Sequence, residues 1–143
     1  MRVCERVGGP RPGGRDSGRG SRACASAGGG LAHHRLDAFH VSRDALVAGD
    51  ALVKQLPRGY GALGDQLRRA LLGAYLQLTE AAAREGNDRR QRFRCARAEA
   101  NEAAAAVEAA VALSLVAREE AEAVLLLLDR LAAMLTRLGG FGR

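Results

Sequence analysis

The chain has 143 residues, with 22 basic and 16 acidic side chains, a formal net charge of +6, and only 3% aromatic residues with no Trp. That length sets one domain as the prior, and so few aromatics exclude an aromatic cage or a base-stacking track. The longest apolar runs, such as Ala109–Leu113 and Val124–Leu128, fall far below the roughly 18–20 residues that cross a bilayer.

Residues 1–30 hold nine of the 18 glycines, two of the three prolines, and six arginines against Glu5 and Asp16. They show no hydrophobic period and cannot bury enough surface to offset chain entropy. Residues 1–34 are therefore expected to be a disordered Gly/Arg-rich tail ahead of a folded domain over 35–143. Two readings of the tail stay open: an arm that meets nucleic-acid phosphates, or a stretch upstream of the true start codon. It lacks the apolar segment of about 7–15 residues that a secretory leader needs, so a cytoplasmic location is the expectation. The cysteines, Cys4, Cys24 and Cys95, form no Cys-x-x-Cys pair and read as reduced thiols, with Cys95 a small packing residue on a helix.

From Leu36 the pattern turns helical. Helix 1 is expected over about 36–56, with Phe39, Leu46 and Val53 at intervals of seven and Val41, Ala45, Ala48 and Leu52 beside them. Pro57, Gly59 and Gly61 break it. Helix 2 follows over about 62–85 on Leu63, Leu67, Leu71, Ala74 and Leu78, flanked by Leu72, Tyr75 and Leu76. Gly86-Asn87 stops it, and Asn87 or Asp88 can cap the next helix. Helix 3 spans about 88–114, with a core stripe of Phe93, Ala96, Ala100, Ala103, Ala104, Val107 and Val111. A weaker stripe, Cys95, Ala98, Ala106, Ala109 and Leu113, is placed roughly opposite. Helix 4 spans about 118–138, with Glu119 and Glu120 in its first turn and one face of Ala121, Val124, Leu125, Leu128, Leu131, Ala132, Leu135 and Leu138. Loops of about 2–6 residues make consecutive helices antiparallel. The fold class is all-α, an up-down-up-down four-helix bundle. Helices 2 and 3 carry more apolar surface than one core consumes, so self-association is expected.

Levelling residues across the helix 2–3 hairpin brings Glu80 near Arg94 and Arg97, and Glu102 near Arg68 and Arg69. These four, Arg68, Arg69, Glu80 and Glu102, read as members of register-fixing ion pairs. A catalytic reading would need a cleft around Glu80 and Glu102, and no His or Ser with a plausible base lies on these helices, so no enzyme activity and no small-molecule substrate are expected. His33, His34 and His40 have no converging ligands, and a di-metal bundle needs Glu-x-x-His on paired helices, so neither metal nor cofactor is expected. Arg84, Arg89, Arg90, Arg92, Arg94 and Arg97 face only Glu85 and Asp88 around the helix 2–3 turn. Arg89–Arg92 sit at a helix N-terminus, where the macrodipole disfavours cations. This cluster is the candidate surface for RNA, DNA or an acidic protein, with mostly phosphate contacts. The alternative is a protein–protein module with a solvated Arg cluster.

Gln66-Leu67-Arg68-Arg69-Ala70, then Glu80 and Arg84, resembles the second-helix signature of one family, and Arg94-Cys95-Ala96-Arg97 with Glu102 resembles its third. The family is the four-helix-bundle proteins of the 23S rRNA-intervening-sequence group, similar to the accessory variability determinant of diversity-generating retroelements. Gln77, Ala81, Cys95 and Ala98-Glu99 stand where the family pattern has Asn, Gly, Ile and Gly-Ser. Over about residues 36–138 the resemblance implies a barrel-shaped homopentamer with a central channel and no enzymatic activity; the retroelement relatives associate with a reverse transcriptase and nucleic acid, and most family members have no assigned role.

Overall fold

A computed structural model describes residues 30–141, and Leu31 onward belongs to one compact unit. The expected tail over 1–29 lies outside the described residues. After a 3-10 turn over Ala32–Arg35 come four helices: α1 (Asp37–Val53), α2 (Gly61–Ala82), α3 (Gly86–Ala112) and α4 (Arg118–Leu138). Each packs on its chain neighbours, and α1 closes the ring against α4. The fold is the all-α, up-down-up-down four-helix bundle that the periodicity implies, with no strand among the described residues.

The core runs down the middle of this ring. Leu67, Leu71 and Leu78 enter it from α2, and Val124, Leu128, Leu131 and Leu135 from α4. Phe93 and Val107 enter from α3 among alanines. Each fully buried leucine contributes about 1.5–3 kcal/mol of transfer free energy. Gly49 of α1 permits a close approach to α2, since a Cβ there would collide with a methyl carbon of Leu71.

Three expectations are corrected. The unit begins at Leu31 rather than 35, because the rings of His33 and His34 lie 4.6 and 5.7 Å from that of Phe39, which in turn lies 4.9 Å from Tyr75. Next, α3 starts at Gly86, with Glu85 as its N-cap residue and no side-chain cap from Asn87 or Asp88. Gly86 has φ +58°, a conformation open to glycine at little cost, which lets the chain turn straight into the helix. Finally, the weaker stripe of α3 does not face outward as a set. Cys95 and Ala106 are buried, and only Ala98 and Leu113 are exposed, because α3 is flanked by both α2 and α4 and buries a wide arc. Cys4 and Cys24 lie outside the described residues.

The C-terminal ends of α3 and α4 are closed by hydrogen bonds that fit the Schellman pattern. At the end of α3, Leu115 N–H donates to Ala110 O and Ser114 N–H to Val111 O, both at 2.9 Å, with Ser114 at φ 56°. At the end of α4, Phe141 N–H donates to Thr136 O (3.1 Å) and Gly140 N–H to Arg137 O (3.2 Å), with Gly140 at φ +73°.

Candidate nucleic-acid interface

The antiparallel order puts the α2–α3 turn and the end of α4 at the same end of the bundle, so Phe141 arrives beside the first turns of α3. The Arg94 guanidinium carbon stands 4.9 Å from the Phe141 ring centroid and that of Arg97 4.6 Å. Arg94 Nε also donates to Gly139 O at 3.0 Å. Two arginines thus clasp the last described residue through cation–π contacts and one hydrogen bond.

The other members of the cluster divide into two groups. Arg84 pairs with Asp88 at 2.6 Å and Arg92 with Glu80 at 3.1 Å, Arg92 also donating to Gln77 Oε1 at 3.3 Å. The hydrogen bond from Arg84 to Asp88, and their charge attraction, push the Arg84 pKa up. Arg89 stands over its own helix neighbour Phe93 at 5.4 Å, and Arg90 donates to Asn87 Oδ1. Among the described residues, Arg89, Arg90, Arg94 and Arg97 join no ion pair. Arg90, Arg94 and Arg97 fall on one stripe of α3.

The earlier start of α3 changes the dipole argument. Arg90 and Arg92 fall in the second turn, where the macrodipole has largely faded, and Asp88 in the first turn offsets Arg89. The placement of these arginines therefore costs the fold less than a start at 88 would imply.

The ion-pair register differs from the levelled hairpin in both places. Glu80 meets Arg92, because Arg94 and Arg97 are turned toward Phe141. Glu102 accepts from Gln66 Nε2, while Arg69 donates to Gln66 Oε1 at 3.5 Å. Arg68 instead reaches across to α1, where Asp50 holds it at 2.8 Å together with Lys54 at 2.8 Å. Hydrogen bonds from Lys54 and then Arg68 lower the Asp50 pKa. The Arg68–Asp50 bridge was invisible to hairpin arithmetic, which levels α2 against α3 only. The Phe141 clasp was within reach of the same arithmetic applied to the α3–α4 turn.

Among the described residues, Glu99 is the one carboxylate with a raised pKa, driven first by burial and then by repulsion from Glu102. It lies over Gly73 of α2, where a Cβ would stand 2.8 Å from its carboxyl carbon. No group of three or more His, Cys, Asp or Glu side chains among the described residues could hold a metal ion. No described helix is long and apolar enough to cross a membrane. The chain matches no family model and no curated protein.

Proposed function

We propose that the chain is a non-catalytic docking module whose Arg-rich end takes a polyanion, with nucleic-acid phosphate the chemistry that fits best. The observation that carries this reading is the group Arg89, Arg90, Arg94 and Arg97, gathered on the first turns of α3 with no ion-pair partner among the described residues. Two nearby acids, Asp88 and Glu80, are already engaged by Arg84 and Arg92. Arg94 and Arg97 are held in place against Phe141, so less side-chain freedom is lost when they meet an anion. With no stacking track, binding rests on charge and shows little base preference.

The resemblance to the 23S rRNA-intervening-sequence family supports the same reading and extends it to a cytoplasmic homo-oligomer, a pentamer in that family, with a reverse transcriptase as a nucleoprotein partner. The test is a salt titration of oligonucleotide binding, followed by fluorescence anisotropy. Four phosphate contacts give a slope of log K against log salt of about −3 to −4, and an Arg90→Ala/Arg94→Ala variant loses about two units of it. Absence of binding at low salt overturns this reading. It would favour the second one, a protein–protein module with no nucleic-acid role, which rests on the exposed Val47, Leu72, Leu76 and Leu126.

A further inference from the structure

Phe39 and Phe93 are buried, and Tyr75 lies against Phe39. Tyr60 precedes α2 in the turn from α1, at the far end of the bundle from the Arg cluster. Phe141 differs from all of these rings. It stands beside Arg94 and Arg97, and 48% of it remains exposed.

The ring is fixed from two directions. Its backbone N–H donates to Thr136 O, and Gly140 before it has φ +73°, which turns the chain at the end of α4. Gly139 leaves room for the packing: a Cβ there would stand 3.2 Å from Arg94 Cγ and 3.3 Å from Phe141 Cδ2. Arg90 passes close as well, with its Cδ 3.5 Å from where a Cβ of Gly140 would be. From the α3 side, the Arg94 and Arg97 guanidinia hold the ring by cation–π attraction. Burial does not explain this position. A phenylalanine gains most by entering a core, and this one is held at the surface by guanidinia with no ion-pair partner among the described residues.

We propose that Phe141 is the stacking residue of the Arg-rich end: an unpaired base of a single-stranded nucleic acid lies on its ring while Arg90, Arg94 and Arg97 take the neighbouring phosphates. One ring is no track, yet it suffices to tell an unpaired base from a paired one. In a duplex each base face is covered by its neighbours, whereas an unpaired base can be splayed onto an aromatic side chain. Every base has a π-face, so the choice is by strandedness and not by sequence. The inference deepens the proposed function and rests on it: phosphate contacts supply the attraction, and the ring adds affinity for the single strand.

The experiment uses the full chain and three probes of equal length: a single strand of DNA, its blunt duplex, and an abasic strand that keeps the phosphates and lacks the bases. Phe141→Leu keeps an apolar side chain but has no π-face. By fluorescence anisotropy it is expected to bind the single strand about tenfold more weakly than the parent does. Its binding of the duplex and the abasic strand, and its slope of log K against log salt, are expected to stay as in the parent. Phe141→Tyr is expected to bind all three probes as the parent does. Phe141→Trp gives the chain its only indole, whose fluorescence is expected to be quenched by the single strand and not by the abasic strand. Circular dichroism checks that the helices persist; should Phe141→Leu lose them, the quenching in Phe141→Trp decides alone. Equal weakening of all three probes, or a shallower salt slope, would assign the ring to bracing the arginines and overturn the inference while the phosphate reading stands. So would a single strand that neither loses affinity in Phe141→Leu nor quenches the indole. Failure of every probe to bind the parent at low salt overturns the proposed function and this inference together.

Discussion

Helices α3 and α4 leave the same turn, yet they enter the core by different means. Of the eight buried residues of α3, five are alanines: Ala96, Ala100, Ala103, Ala106 and Ala110. Of the five in α4, three are leucines: Leu128, Leu131 and Leu135. A leucine-faced helix brings its own apolar area, whereas an alanine-faced helix brings mainly closeness, letting neighbouring backbones approach on two sides. The difference shows that α3 is held by the fit of α2 and α4 around it, and that α4 supplies much of the material that fits.

The comparison can be broken most strongly on α4. Leu128→Ala, at a site 2% exposed, is expected to destabilise the bundle by about 2–5 kcal/mol, measured by urea denaturation. A loss below about 1 kcal/mol would mean that α4 is not a principal supplier of buried area. On α3 the sensitivity runs the other way. Ala100→Leu, at a site 1% exposed, is expected to cost about 1–3 kcal/mol through overpacking, and a neutral result would show that α3 sits in a looser slot than its alanines suggest.

The smallest effect belongs to Glu99, on the α2-facing flank of α3. Its folded pKa lies above its unfolded value, so the folded state holds the extra proton between the two. Stability contributed by that group is therefore present at low pH and falls as pH rises from the ordinary glutamate range through the folded value. Glu99→Gln should remove this fall, so its stability relative to the parent should grow with pH across that window. A difference that stays flat with pH would show that burial does not disfavour the Glu99 carboxylate.

Much of the bundle is legible in the chain itself. The bounds of α4 fall where Glu119, Glu120 and Gly139 set them, and its leucine spacing leaves one face to bury. The end of α2 and the start of α3 are less legible, since Gly86 acts inside the start of a helix rather than after the end of one. Alanine is the other source of error: Cys95, Ala98 and Ala106 look alike by hydropathy, and only the two flanking helices decide which are covered. At the Arg-rich end, residue counting finds the six arginines but not their contacts. Long flexible side chains choose among partners within several ångströms, and Arg94 and Arg97 turn to Phe141 rather than Glu80.

The closure of the ring by α1 against α4 has a consequence for how the protein is made. During synthesis, Val53 is in place well before Arg118 emerges, and at about 5–20 residues per second the α4-facing side of α1 stays bare for a time on the order of seconds. The α2–α3 hairpin can form meanwhile from contacts close in sequence. The last helix then acts as a keystone, and a nascent chain truncated before Arg118 leaves its first helix with one neighbour in place of two.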